Sequence, residues 1–81
     1  MGQAELIIYS TPLCAPCDVL KRILTTEGLS FEVKDLMVDE AAAELMDRNG
    51  IRTVPVLGIN GALHHGDALR SEKLVALLDF E

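Results

Sequence analysis

Leu6-Ile7-Ile8-Tyr9-Ser10-Thr11-Pro12-Leu13-Cys14-Ala15-Pro16-Cys17-Asp18-Val19-Leu20-Lys21-Arg22-Ile23-Leu24 is the stretch whose reading decides the fold. Its apolar opening, Leu6 to Tyr9, reads as a buried strand. Ser10-Thr11-Pro12-Leu13 reads as a loop. Val19 to Leu24 carries the spacing of an amphipathic helix. Between loop and helix stand Cys14 and Cys17, the two cysteines of the chain. A dithiol at a strand-to-helix turn suits thiol–disulfide exchange.

The thiolate is the nucleophile, and an ordinary thiol is largely protonated at neutral pH. The first turn of a helix offers unpaired N–H groups and a partial positive charge. Both favour the thiolate of Cys14. Cys17, one helical turn further in, is expected to be more buried. It is placed to attack a mixed disulfide on Cys14 and release the reduced substrate. Pro16 suits this turn because it fixes φ and gives up an N–H that has no helical partner.

The 81 residues make one small domain, 1–81, and 49% of them are apolar, enough for a single core. The formal net charge is −6, with the seven basic residues scattered. That balance argues against nucleic-acid binding and against a basic membrane-binding surface. No apolar run approaches the ~20 residues of a membrane span. Residues 1–5 lack the basic segment and apolar core of a signal peptide. A cytoplasmic location and a monomer are expected. In the cytoplasm a lone dithiol is usually catalytic or metal-binding rather than a structural staple.

The order of elements follows from periodicity and breakers. A first strand is expected over 5–9 and a first helix over 15–27, with Leu20, Ile23 and Leu24 inward and Gly28 ending it. Residues 30–35 alternate as a second strand. Asp39 is an N-cap for a second helix over 40–48, with Ala42, Leu45 and Met46 buried and Asn49-Gly50 closing it. Residues 54–59 read as a third strand, Asn60-Gly61 as a hairpin turn and 62–65 as a fourth strand. Ser71 caps a last helix through Leu74, Val75, Leu77 and Leu78. The order β-α-β-α-β-β-α gives an α/β fold with a four-stranded mixed sheet and three flanking helices. The first two strands are parallel and the hairpin antiparallel.

Tyr9-Ser10-Thr11-Pro12-Leu13-Cys14-Ala15-Pro16-Cys17, Thr53-Val54-Pro55 and Ile59-Asn60-Gly61, in this element order, resemble a glutaredoxin of the thioredoxin superfamily. The resemblance covers nearly the whole chain and implies the minimal thioredoxin/glutaredoxin fold. It implies a cis Pro55 packed against the dithiol, with Thr53, Val54 and Pro55 docking the substrate through the Val54 backbone. It implies a thiol–disulfide oxidoreductase that reduces protein disulfides, serves cell redox homeostasis and electron transport, and binds no cofactor. Glutathione or a dithiol reductase would supply the electrons.

The departures bear on the electron source. Glutaredoxins commonly carry Cys-Pro-Tyr-Cys; here proline precedes the second cysteine, as in thioredoxin's Cys-Gly-Pro-Cys. Thr11 stands where many glutaredoxins carry a basic residue. His65-Gly66-Asp67-Ala68-Leu69 stands in place of the turn that holds the γ-glutamyl end of glutathione. The stretch from Gly66 to Leu74 is closer to the end of a thioredoxin. The chain is thus similar to small redoxins that act as thioredoxins, including hydrogen donors of ribonucleotide reductase, although it lacks their usual Cys-Val/Met-x-Cys. A glutathione-dependent glutaredoxin is the alternative within the class.

A reading of another class uses the same cysteines to carry a metal or an iron–sulfur cluster. A four-ligand zinc site would also need His64 and His65. Neighbours on a strand point to opposite faces, so both reaching one metal is awkward; two histidines on an exposed hairpin is the plainer reading. Pro16 stiffens the turn and Cys17 is present, which disfavours the cluster. Asp18 is either a favourable first-turn charge or one that raises a cysteine pKa. Arg52 either faces an acidic partner or thiolate, or is a solvated surface residue. Arg52, Lys21 and Arg22 would compensate in part for the missing basic residue at Thr11. Tyr9 is expected to pack near the active-site loop rather than act as an acid.

Overall fold

The computed structural model describes residues 4–69 together with Lys73, Leu74 and Ala76. Strand β1 (Leu6–Ser10) leads into helix α1 (Ala15–Thr26), β2 (Glu32–Asp35), α2 (Glu40–Arg48), β3 (Val56–Ile59) and β4 (Ala62–His65). A 3-10 helix over Gly66–Leu69 follows directly. The sheet order is β2-β1-β3-β4. β1 pairs with β2 in parallel, and β3 is antiparallel to both β1 and β4. The expected four-stranded mixed sheet is therefore present.

β1 is central, so both of its faces need cover, and the strand alternation divides its residues between two cores. Leu6 and Ile8 pack with Leu57 of β3 against Leu20 and Leu24 of α1, with Leu74 beside them. Tyr9 and Val56 pack against Ala42, Met46 and Ile51 on the α2 side. α1 lies over one face and α2 over the other. Gly58 leaves room for the Tyr9 ring, because a Cβ there would sit 3.3 Å from Tyr9 Cε2.

Local chemistry sets the helix ends. Asp39 Oδ1 accepts from the Ala42 N–H at 3.0 Å and caps α2. Past the C-terminus of α1, Gly28 (φ +74) donates to the Thr25 carbonyl and Leu29 to the Leu24 carbonyl, each at 3.0 Å. α2 ends in the same way. Gly50 (φ +67) donates to Asp47 at 3.1 Å and Ile51 to Met46 at 2.9 Å. These are paired Schellman bonds, and both need a residue that accepts positive φ. Asn60, in the hairpin turn, clamps the start of β1. Its Oδ1 accepts from Glu5 N–H, and its own N–H donates to the Glu5 carbonyl, both at 2.9 Å.

Several boundaries differ from expectation: β1 runs over Leu6–Ser10 rather than 5–9, and α1 ends at Thr26 rather than at residue 27. β2 starts at Glu32 rather than at residue 30. β3 starts at Val56 rather than at residue 54, because the Val54–Pro55 peptide is cis and turns the chain just before the strand. The described residues hold two α-helices and the 3-10 helix, not three α-helices. The last expected helix, over 71–78, lies outside the described residues except for Lys73, Leu74 and Ala76, which are helical. Among the described residues no helix is long and apolar enough to cross a membrane.

Candidate active site

Cys14 is the N-cap of α1, with extended backbone angles (φ −109°, ψ 104°). Its sulfur occupies the place of an ordinary N-cap oxygen and accepts from the Cys17 N–H at 3.1 Å. The Cys14 carbonyl accepts the first helical bond, from the Asp18 N–H at 3.1 Å. Pro16 sits in the first turn, where its missing N–H leaves no bond unmade. The strand-to-helix geometry thus sets the Cys14 sulfur at the N-terminus of α1, where the first N–H groups have no partner within the helix.

The two cysteines are disulfide-bonded, with their Cα atoms 5.2 Å apart, inside the usual range for such a bond. Their environments differ sharply. Cys17 is fully buried, at 0% exposure, on the stripe that also carries Leu20 and Leu24. Cys14 is only partly covered. Of the two bonded sulfurs, the one on Cys14 thus belongs to the more open residue.

Thr53, Val54 and Pro55 lie across from this turn. Together with Ala15 and Pro16 they line part of an open cavity of about 590 Å³. Val19, Ile23, Leu69 and Leu74 also line it. The Val54–Pro55 bond is cis, as the resemblance implies. A second, smaller hollow of about 330 Å³ lies on the α2 side of Thr53 and Val54 and includes Thr11, Asp47 and Arg52. Arg52 is exposed there.

The remaining sequence candidates separate. Asp18 lies in the first turn of α1, 69% exposed, with Lys21 Nζ 3.8 Å from its carboxylate. The ion pair moderates the acidic charge beside the dithiol. Tyr9 is buried in the α2-side core. His64 and His65 are neighbours on β4; His64 pairs with Leu57 and His65 with Val56, which belong to opposite cores. Among the described residues no group of three or more His, Cys, Asp and Glu side chains is arranged to hold a metal ion.

One residue of the site was not singled out in the sequence. Leu13, next to Cys14, has φ +59 and is fully exposed. A leucine in a loop carries no signal for either property; apolar character alone reads as core.

A glutaredoxin family model matches residues 6–64. No curated protein matches the sequence. Among solved structures, a mutant of the thioredoxin-like protein BC3987 is 29% identical, with a TM-score of 0.80 over 95% of this chain and 97% of that one. Wheat glutaredoxin is 32% identical, with a TM-score of 0.70 over 93% of this chain and 79% of that one. Buckwheat glutaredoxin, crystallised as its glutathione complex, is 26% identical, with a TM-score of 0.69 over 93% and 76%. Because the family match runs from β1 into β4 and carries the dithiol within it, this chain belongs to the glutaredoxin family of thiol–disulfide oxidoreductases.

Proposed function

We propose that this redoxin reduces protein disulfides, with Cys14 as attacking and Cys17 as resolving thiol. The unequal exposure of the two bonded sulfurs carries the reading: Cys14 is partly open at the helix N-terminus and Cys17 is fully buried. In the reduced protein the Cys14 thiolate attacks one sulfur of a substrate disulfide. The other substrate sulfur leaves as a thiolate and takes up a proton. Cys17 then loses its proton and attacks the Cys14 sulfur of the mixed disulfide. The second substrate sulfur leaves and is protonated. Two electrons have passed to the substrate, and the Cys14–Cys17 disulfide has formed. Thr53, Val54 and Pro55 dock the substrate, whose extended segment pairs with the Val54 backbone.

The electron source in this proposal is a dithiol reductase. Glutathione carries two carboxylates and an amine, and a site for it benefits from fixed charge. Thr11 replaces the usual basic residue, and no charged side chain is among the described lining of the larger cavity. The smaller hollow favours a second reading, in which glutathione is the reductant, because it brings Arg52 beside Thr11, Thr53 and Val54. Similarity to the buckwheat protein supports the same alternative. The protein acts in this proposal as a cytoplasmic monomer without a bound cofactor. Ribonucleotide reductase is one substrate to test.

The deciding assay runs disulfide reduction with glutathione or with thioredoxin reductase as sole electron source. Turnover is expected with thioredoxin reductase and little with glutathione; efficient glutathione-driven turnover overturns the choice of reductant. Cys14→Ser is expected to abolish reduction, and Cys17→Ser to trap substrate as a mixed disulfide on Cys14. Faster alkylation of Cys17 than of Cys14 in the reduced protein would reverse the roles. Absorbance and metal content of the purified protein test the carrier reading.

A further inference from the structure

The sheet ends on β2, an edge strand with the sequence Glu32-Val33-Lys34-Asp35. Just past it, the Leu36 N–H donates to the Ser10 carbonyl of β1 at 2.8 Å. In a parallel pair, alternate residues turn both backbone groups toward the neighbouring strand. Residues 32, 34 and 36 therefore face β1, while Val33 and Asp35 face outward. The Asp35 carbonyl is taken up by the Val38 and Asp39 N–H groups, at 3.1 and 2.8 Å. Val33 keeps an N–H and a carbonyl directed away from the sheet, and its side chain is exposed. Such an edge is a template for another strand.

The charges along the edge select that strand. Glu32 is exposed and Lys34 partly so, and among the described residues neither is in an ion pair. Both lie on the α2 face of the sheet, beside Ile7 and Tyr9, whereas Val33 lies on the α1 face beside Ile8. In a second copy of β2 laid antiparallel, with the two-fold axis through Val33, the two Val33 residues exchange both backbone hydrogen bonds. Each Glu32 then stands directly opposite a Lys34 on the same face, and opposite charges so placed attract. An axis through Glu32, Lys34 or Asp35 sets like charges opposite one another, which is destabilising. The Val33 register also brings the end of β2 that leads to the exposed Met37 and Val38 beside the end that follows Leu29 and Phe31 in the other copy.

We propose that β2 pairs with β2 of a second copy of this chain, in that register, and joins the two sheets into one. A strand of this length buries little area, so the pairing belongs to the weak, reversible class. The axis sends the two β1 C-termini, and the dithiols that follow them, to opposite ends of the joined sheet. Each chain keeps its own dithiol, and the acting unit remains the single chain. The proposal is independent of the choice of substrate and reductant.

The test uses the oxidised protein, in which the Cys14–Cys17 bond leaves no thiol to link two chains. Sedimentation equilibrium from micromolar to millimolar concentration is expected to show the average mass rising from one chain toward two. Glu32→Lys and Lys34→Glu each set like charges opposite one another in the pair, and each variant alone is expected to stay monomeric. An equimolar mixture of the two is expected to pair again, because every lysine then faces a glutamate across the axis. Circular dichroism verifies that both variants fold. A parent that remains monomeric at millimolar concentration overturns the proposal. Variants that pair as the parent does put the interface elsewhere and overturn it too, and a mixture that stays monomeric removes the register. Hydrogen exchange on the parent needs no variant. The Val33 amide is expected to exchange several-fold more slowly in the concentrated sample, with the Lys34 amide, already bonded to β1, unchanged. An unchanged Val33 amide overturns the proposal as well.

Discussion

Gly50→Ala isolates one backbone torsion next to the active-site loop. Gly50 holds φ +67 where α2 ends, and the chain runs on directly through Ile51, Arg52 and Thr53 to Val54 and Pro55. A Cβ added at Gly50 meets nothing within 4 Å, so crowding by neighbouring groups does not contribute. The left-handed conformation costs an L-residue ~1–2 kcal/mol. Ala also lowers the entropy of the unfolded chain relative to Gly, which offsets part of this cost. The net loss is about 1 kcal/mol, equivalent to a fall in Tm of roughly 4–8 °C for a domain of this size. Asn tolerates the left-handed region better than Ala, so Gly50→Asn is expected to recover at least half of the loss. Thermal and urea unfolding of the three proteins, with the urea slope unchanged, measures the effect. An alanine variant as stable as the parent refutes the reasoning, and so does an asparagine variant no better than alanine. In either case the turn does not impose the torsion that the paired bonds from Gly50 and Ile51 require.

Leu24→Ala, at a fully buried position between α1 and the sheet, is expected to cost ~2–5 kcal/mol in urea unfolding. Asp39→Ala leaves the Ala42 N–H without its cap and is expected to cost about 1 kcal/mol; Asp39→Asn retains the acceptor and should cost little. The reduction potential, measured by equilibration with a dithiol buffer of known potential, is expected nearer thioredoxin's ~−270 mV than the roughly −200 to −230 mV of glutaredoxins. The reason is the proline before the second cysteine together with Thr11 in place of a basic residue. A value in the glutaredoxin range would count against the dithiol-reductase proposal.

The sequence by itself determined the elements and the reactive pair. Apolar alternation, helical spacing, Asp39 as a cap and the glycines after each helix are local properties, and local energies decide them. That is why α2 begins at Glu40 and ends at Arg48, and why α1 begins between the cysteines. The placement of Cys14 as N-cap followed from the same rules. Only the tertiary structure decided which surfaces those elements leave open. Leu20 and Val19 are neighbours of similar character, yet one is buried under the sheet and the other stands half-exposed at the larger cavity. Leu13 is an apolar residue that the loop holds wholly in water, while Tyr9 is packed away on the α2 side. Thr53, Val54 and Pro55 are far from the start of α1 in sequence and share one cavity with Ala15 and Pro16, with β3 paired antiparallel to β1. Exposure and approach of this kind depend on contacts between segments distant in the chain, and a residue's own type carries no record of them.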